Sequence, residues 1–236
     1  MTELADTGAA DAVRARLALA LDLDDMVVAL RLARELQPWF GVAKVGLELY
    51  TAAGPDAVGS LSALGYEVFL DLKLHDIPTT VGRAAAVVGA YGARYLSLHA
   101  MGGVPMLRAG VEGFHRGAAQ AGLDRPVALA VTVLTSDADA PPHIVPKRVK
   151  VALEAGCDGL VCGAPDVADV RQLAPRLCVV VPGTRLPGGD THDQARTDTP
   201  SAAIAAGANL LVVGRAVTAA PDRAAAAQAL VDSLSD

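Results

Sequence analysis

Residues 67–91 read EVFLDLKLHDIPTTVGRAAAVVGAY and contain one complete strand-then-helix unit. The first part, Glu67–Lys73, is a short run in which apolar residues dominate, which is typical of a buried strand. The second part, Pro78–Tyr91, begins with proline and continues with alanine and valine at helical spacing. Gly92 follows at a position where helices commonly end. The segment is therefore predicted to form a strand, a loop and a helix.

The same unit recurs along the whole chain. Eight such units in 236 residues are what a (β/α)8 TIM barrel requires, and apolar strands suit a parallel sheet covered by helices. An open doubly wound sheet is the alternative, but neither a GxGxxG turn nor a P-loop is present. The prediction is a single-domain barrel over residues 16–236, with residues 1–15 as a frayed N-terminal tail. Its strands are predicted at 17–22, 42–47, 67–73, 95–99, 127–133, 159–162, 177–181 and 209–214.

Composition excludes several classes of protein. A 52% hydrophobic content is typical of a globular chain, and a net charge of −6 without a basic stripe argues against nucleic acid as a partner. The polar, acidic N-terminus is unlike a secretory signal, and no apolar run is long enough to span a membrane. Three cysteines without CxxC spacing indicate neither a disulfide framework nor a zinc site. We therefore expect a cytoplasmic protein.

Charged residues occur on the predicted strands near the carboxyl ends, where barrels place their active sites. Asp71 and Lys73 are two residues apart and share one face of their strand. Lys44 has apolar neighbours, so its ammonium requires a carboxylate partner on a neighbouring strand. Asp76 follows three residues after Lys73, which completes a D-x-K-x-x-D pattern in which two cations and two anions alternate. A buried structural ion pair is the alternative reading of these residues.

The loops after the seventh and eighth strands have the composition of a phosphate site. The first, Pro182–Gln194, is rich in glycine and carries Arg185, and the second contains Gly214 and Arg215. Backbone N–H groups and guanidinium groups bind phosphate, and barrels often bind it at these two loops. A surface loop with one arginine is the alternative.

Metal and thiol chemistry have less support in the sequence. Mg2+ between Asp71 and Asp76 is disfavoured because Lys73 already supplies positive charge between them. The histidines lack HxH and HExxH spacing, so His75 and His99 are interpreted as packing groups near the site. The cysteines on the predicted strands are interpreted as core residues rather than nucleophiles.

The segment DLKLHDIPTT closely resembles the signature of the orotidine 5'-phosphate decarboxylase family. The resemblance continues in LALALDLDD, VAKVGLELY, LSLHAMGG, AVTVLTS, VVPGTR and LVVGRAVT, and so covers nearly the whole chain. It implies decarboxylation of orotidine 5'-monophosphate to UMP in pyrimidine biosynthesis, by a homodimer that requires no cofactor.

The resemblance also implies a role for each matching residue. Lys73 would donate the proton and Asp71 would lie beside the departing carboxylate, while Lys44 and Asp76 complete the charged network. Asp76 and Thr80 would reach into the partner subunit's site. The remaining substrate contacts implied are the ribose hydroxyls for Asp22 and Lys44, the pyrimidine for Thr135, and the phosphate for Pro182, Arg185, Gln194, Gly214 and Arg215, with loop 186–193 closing over it.

Two other functions remain open at this point. One is a Mg2+-dependent enzyme of the same barrel superfamily that decarboxylates or condenses sugar phosphates, since such enzymes share the D-x-K-x-x-D pattern. The other is a non-catalytic barrel that binds a nucleotide monophosphate, which would not require lysines on apolar strands.

Overall fold

A computed structural model describes residues 11–134, 136–137, 140–183 and 199–234. Eight parallel strands form a closed barrel in which each strand pairs with the next along the chain and the last pairs with the first. The predicted barrel is confirmed, and the open doubly wound sheet is excluded. The strands are β1 (Leu17–Leu21), β2 (Val42–Val45), β3 (Glu67–Leu74), β4 (Tyr95–His99), β5 (Val127–Val131), β6 (Gly159–Val161), β7 (Cys178–Pro182) and β8 (Leu210–Val213).

Helices connect the strands and cover the outside of the barrel. Among the described residues, no helix is both long enough and apolar enough to cross a membrane. Two short 3-10 helices cover Ala100–Gly102 and Ala164–Asp166. The α-helices are α1 (Met26–Leu36), α2 (Leu47–Ala53), α3 (Asp56–Ser62), α4 (Pro78–Ala90), α5 (Gly103–Gln120), α6 (Ile144–Ala155), α7 (Val167–Leu173), α8 (Pro200–Ala205), α9 (Arg215–Thr218) and α10 (Arg223–Asp232).

Several strands end at other residues than the sequence predicts. β2 stops at Val45 rather than residue 47, because Gly46 precedes the first turn of α2. β3 continues one residue further, to Leu74. The predicted helix end at Gly92 is confirmed by its φ of 86°, in the left-handed region that glycine tolerates.

The barrel interior determines where the site lies. Alternate strand positions such as Ala20, Val42 and Phe69 form a small inner core, while the other positions pack against the helices in a larger outer core. Because side chains alternate along a strand, residues two positions beyond these inner-core residues also face the interior. At the carboxyl ends these positions are Asp22, Lys44, Asp71 and Ser97.

The described chain begins before the predicted barrel boundary. The Arg14 side chain donates a hydrogen bond to the Gln37 carbonyl at 3.0 Å, and the Arg14 carbonyl accepts one from the Gly41 N–H at 2.8 Å. Arg14 is therefore bonded to the body of the protein, and the boundary at residue 15 stays a prediction.

Candidate active site

A cavity of about 810 Å³ opens at the carboxyl ends of the strands. Asp22, Lys44, Asp71 and Lys73 line it on the β1–β3 side, and Arg215 lines it on the β8 side. This is the end of the barrel at which the sequence predicts the site. Five of the charged side chains singled out in the sequence therefore share one cavity.

Lys44 is paired across the barrel wall. Its Nζ lies 2.6 Å from Asp22 Oδ1, and only 10% of the lysine side chain is exposed. In register, Lys44 is flanked by Ala20 and Phe69, so Asp22 supplies the negative charge that this apolar position requires. The predicted partner on a neighbouring strand is thus found on the β1 side rather than on β3.

Asp71 and Lys73 form the second ion pair. Lys73 Nζ donates to Asp71 Oδ2 at 2.7 Å, and both side chains are partly buried. The pairing of β3 with β4 is irregular between Leu70 and Leu74. Within that interval Lys73 has a φ of 49°, a left-handed conformation that is rare for a residue with a Cβ. Lys73 therefore lies on an irregular strand end at the mouth of the barrel, and Asp71 binds its ammonium group there.

Asp76 and Thr80 are not brought to this cavity within one chain. Both are exposed, and Asp76 Oδ1 accepts a hydrogen bond from the Ile77 N–H at 2.6 Å. Neither residue lines the cavity. The sequence predicts a network in which Lys44, Asp71, Lys73 and Asp76 alternate in charge, and within one chain this network is incomplete. Lys73 pairs with Asp71, whereas Lys44 pairs with Asp22.

The β7–β8 side of the cavity contains three of the five residues predicted to bind phosphate, Pro182, Gly214 and Arg215. Pro182 and Gly183 at the end of β7 and Gly214 and Arg215 at the end of β8 line the cavity. Gly183, which the sequence argument did not single out, has a φ of 79°. The other predicted contacts, Thr135, Arg185 and Gln194, and the loop 186–193, lie outside the described residues.

The family model described as "Orotidine 5'-phosphate decarboxylase / HUMPS family" matches residues 15–230. The chain belongs to this family. A relative named orotidine 5'-phosphate decarboxylase from Anaeromyxobacter dehalogenans is 45% identical, and the match covers 93% of this chain and 98% of the relative. A relative of the same name from Moorella thermoacetica is 41% identical, over 91% of this chain and 90% of the relative.

Solved structures of the decarboxylase / HUMPS family share the fold of this member. The orotidine 5'-phosphate decarboxylase from Lactobacillus acidophilus has a TM-score of 0.78 and 33% identity, over 93% of this chain and 99% of that chain. The enzyme of the same name from Pyrococcus horikoshii has a TM-score of 0.76 at 23% identity, over the same shares of the two chains, and that likeness concerns the fold alone.

Two residues of this family member escaped the sequence argument although they touch the ion pairs. Ser97 bonds both Asp71 and the backbone of Lys73. A Cβ at Gly46 would lie 3.0 Å from Asp22 Oδ1 and 3.3 Å from Lys44 Nζ, so glycine leaves room for that pair. Alternation along β4 places Ser97 on the inner face, and this signal was available in the sequence. The proximity of Gly46 depends on tertiary structure.

The cavity also extends beyond the predicted residues, towards α1 and α10. Arg31, Glu35 and Arg223 line this extension, and Arg223 lies 3.1 Å from Glu35. Arg31 and Glu35 are one turn apart on α1, so helical spacing predicts that they share a face. Their proximity to Arg223, 188 positions away from Glu35 in the sequence, is a consequence of barrel closure.

The rings of His75 and His99 stack with centroids 5.6 Å apart, and His99 is close enough to Lys73 for the charge of the lysine to affect it. Burial lowers the pKa of His99, and the electrostatic influence of Arg148, His75 and Lys73 lowers it further. His99 Nδ1 accepts a hydrogen bond from the Met101 N–H, which requires an unprotonated nitrogen. His99 is therefore a neutral group beside a cationic one.

In the part of the chain that the structure describes, no three His, Cys, Asp or Glu side chains are grouped so that they could hold a metal ion. The three cysteines all lie in that part and form no disulfide. Burial raises the pKa of Cys157 to about 12 and that of Cys178 to about 11, so both thiols stay protonated near neutral pH.

Proposed function

We propose that this chain removes CO2 from orotidine 5'-monophosphate to form UMP, a step of pyrimidine biosynthesis, and that it needs no cofactor. The observation that carries the proposal is the 2.7 Å Lys73–Asp71 ion pair at the mouth of the barrel. Family membership and relatives of that name at 45% and 41% identity support the choice of substrate.

The proposed reaction leaves a difficult intermediate. When the bond between C6 and the carboxylate breaks, CO2 departs and the electron pair stays on C6 in the plane of the ring, where the π-system cannot delocalise it. A fixed positive charge close to C6 lowers the energy of that carbanion. Lys73 supplies this charge and then transfers a proton from Nζ to C6. The products are CO2, UMP and a neutral lysine amine, which regains its proton from solvent.

The aspartates and Lys44 position the reacting groups. Asp71 holds Lys73 Nζ through Oδ2 and lies beside the carboxylate that leaves, so that charge repulsion is relieved as CO2 departs. Lys44 and Asp22, joined at 2.6 Å, bind the ribose hydroxyls. Holding both ends of the nucleoside converts the proton transfer into a step between fixed atoms.

The β7–β8 wall binds the phosphate in this proposal. Gly183 and Gly214 leave the backbone open to a ligand, and Arg215 supplies a guanidinium. Arg185 and Gln194 are assigned to the same phosphate by the resemblance. Interactions with a phosphate far from C6 provide binding energy that favours the closed, dehydrated site.

The proposed enzyme is a homodimer in which Asp76 and Thr80 of one subunit complete the cavity of the other. Both residues are exposed in the single chain. They lie near Ile77, which is 65% exposed, and the chain also exposes the apolar side chains of Leu47 and Met101. Exposed apolar groups of this size are common at protein interfaces.

Subunit mixing tests the shared site. Homodimers of Asp76→Asn and of Lys44→Ala should each be nearly inactive. Random exchange places both changes in one site of each mixed dimer and neither in the other, so about a quarter of all sites should regain activity. Exchange demonstrated by differently tagged subunits without any recovery would show that each site is made by one chain.

A second candidate is a Mg2+-dependent reaction on a sugar phosphate. Asp22 and Asp71 place two carboxylates in the cavity, and carboxylates are the ligands that Mg2+ prefers. Lys44 and Lys73 lie within hydrogen-bond distance of these carboxylates. This arrangement favours the metal-independent decarboxylation.

The deciding experiment follows the ultraviolet absorbance of orotidine 5'-monophosphate with the purified protein, with and without EDTA. Equal rates in both conditions are expected. Turnover that stops with EDTA and returns with Mg2+ would favour the second candidate. Binding of UMP, measured by calorimetry, without any turnover would indicate a nucleotide-binding barrel instead.

A further inference from the structure

Ser97 on β4 is a fully buried hydroxyl that touches both members of the Asp71–Lys73 pair. We propose that Ser97 is a positioning residue that sets the orientation of the Asp71 carboxylate and the backbone of Lys73, and so directs the lysine ammonium. The inference rests on the proposed decarboxylation and adds a residue to its machinery.

The irregular pairing of β3 with β4 creates the need for such a residue. Leu70 pairs with Leu96 and Leu74 pairs with Leu98, so three residues of β3 face Ser97 alone. A regular ladder cannot satisfy the backbone groups of three residues from one partner residue. The N–H of Lys73 donates instead to Ser97 Oγ at 2.9 Å.

This hydrogen bond supports an unfavourable backbone conformation. The φ of Lys73 is 49°, and this left-handed conformation is unfavourable for a residue with a Cβ because the Cβ crowds the following carbonyl oxygen. Such conformations persist only where surrounding contacts hold them. Ser97 supplies one of those contacts from the neighbouring strand.

The same hydroxyl also divides the two oxygens of Asp71. Ser97 Oγ donates its hydrogen to Asp71 Oδ1 at 2.8 Å, while Asp71 Oδ2 accepts from Lys73 Nζ at 2.7 Å. A hydroxyl has one hydrogen to donate and two lone pairs to accept with, so both bonds of Ser97 can form together. Rotation of the Asp71 carboxylate would break its bond to Ser97 or its bond to Lys73. Because both bonds resist that rotation, the direction in which Lys73 Nζ points is fixed.

Thr132 provides a matched control. It is also fully buried and lies next to β5 at the same end of the barrel, but its hydroxyl donates to the carbonyl of Val161. Thr132→Val removes a hydroxyl that is as buried as that of Ser97, without changing a contact of the Asp71–Lys73 pair. A general cost of losing a buried hydroxyl therefore appears in both variants, whereas a loss of positioning appears only in Ser97→Ala.

The experiment compares kcat, KM and the dissociation constant of UMP for the wild type, Ser97→Ala, Ser97→Thr and Thr132→Val. Ser97→Ala should lower kcat about 10- to 100-fold, because small displacements of reacting groups are costly, with KM and UMP binding changed less than about threefold. Ser97→Thr, which keeps a hydroxyl, should recover most of kcat. Thr132→Val should stay within about threefold of the wild type.

A second readout follows the proton itself. By microscopic reversibility, a lysine that delivers a proton to C6 also exchanges the C6 hydrogen of bound UMP with deuterated water. Ser97→Ala should slow this exchange by a factor similar to its loss of kcat. A variant that had only lost substrate affinity would exchange normally once saturated with UMP.

The inference is overturned if Ser97→Ala retains kcat and exchange within about threefold of the wild type, or if Thr132→Val loses as much. Should Ser97→Ala fail to fold, Ser97→Cys keeps the size with a much weaker donor and takes its place under the same criteria. A wild-type protein without decarboxylase activity would instead refute the proposed function, so the two failures are distinguishable.

Discussion

The β3–β4 side of the cavity and the β7–β8 side are built in different ways. After β3, the chain enters α4, a 13-residue helix that packs against the 18-residue α5. Among the described residues, the helices that follow β7 and β8 are shorter: α8 has six residues, and α9 and α10 have four and ten. The first side holds the Asp71–Lys73 pair, and the second holds Pro182, Gly214 and Arg215, the described members of the predicted phosphate site.

Glycines explain how closely the two long helices approach. A Cβ at Gly113 would lie closer than 3.0 Å to the carbonyl oxygen of Gly82, and one at Gly117 equally close to that of Ala86. The backbones of α4 and α5 are therefore in direct contact, which leaves little freedom for the segment that follows Lys73. Proton transfer needs fixed atoms, whereas a phosphate bound far from C6 needs only to be held.

The largest expected effect is on the β3–β4 side. Lys73→Ala should reduce kcat at least about 10⁴-fold, because both the charge near C6 and the proton are removed. UMP should still bind, as measured by calorimetry, since Lys44 and the β7–β8 side are intact. Lys150→Ala, an exposed lysine on α6, is the control and should have wild-type kcat. A Lys73→Ala enzyme with normal kcat would refute the assignment.

The next effect is expected on the β7–β8 side. Arg215→Ala should lower kcat/KM for orotidine 5'-monophosphate about 10²- to 10³-fold, because a charge-assisted hydrogen bond to phosphate is lost. The nucleoside orotidine lacks the phosphate and should be affected little. Steady-state assays on both substrates measure this ratio. Equal losses for both substrates would place Arg215 outside the phosphate site.

A third expectation concerns the stability of the close-packed side. Gly117→Ala should destabilise the fold by about 1–3 kcal/mol, because the new methyl group overlaps the backbone of α4. Gly59→Ala on α3 is the matched control, since apart from its chain neighbours and the backbone of its own helix no atom lies within 4 Å of a Cβ there. That change should be neutral or stabilising by up to about 1 kcal/mol, because alanine favours helices. Urea unfolding measures both, and equal free energies would contradict the packing argument.

The smallest effect is expected on the free energy of unfolding at alkaline pH. It should arise from buried thiols rather than from either side of the cavity. Burial raises the pKa of Cys157 to about 12 from an ordinary 9.0, and that of Cys178 to about 11. Between about pH 9 and 11 the unfolded thiols lose protons that the folded ones keep, so the free energy of unfolding should fall as pH rises. The buried Tyr66 and the partly buried Tyr95 have a raised pKa and act in the same direction at higher pH.

Thermal unfolding from pH 7 to 11 measures this trend. A Cys157→Ala, Cys178→Ala double variant is the control and should lose part of the slope between about pH 9 and 10, where the thiols of the unfolded chain titrate. A slope that the double variant leaves unchanged would assign the alkaline loss to other groups.

Much of the site could be predicted because its signals are local. Asp71 and Lys73 share a face through two-residue alternation, and the loops predicted to bind phosphate come directly after the seventh and eighth strands in the sequence. Ser97 was missed although the same alternation applies, because a serine on a strand carries no chemical signature by itself. Its hydrogen bonds to Asp71 and Lys73 depend on the irregular pairing of β3 with β4, which sequence periodicity does not show.

The sequence by itself determined the eight strand-then-helix units and the barrel end that carries the charges, because periodicity and strand direction are properties of the local chain. Only the tertiary structure decided which charges meet. Lys44 pairs with Asp22 and not with Asp71, and Glu35 meets Arg223 from the far end of the chain. Barrel closure and strand register set these distances, since ion pairs form between neighbours in space. The same closure leaves Asp76 outside the cavity of its own chain.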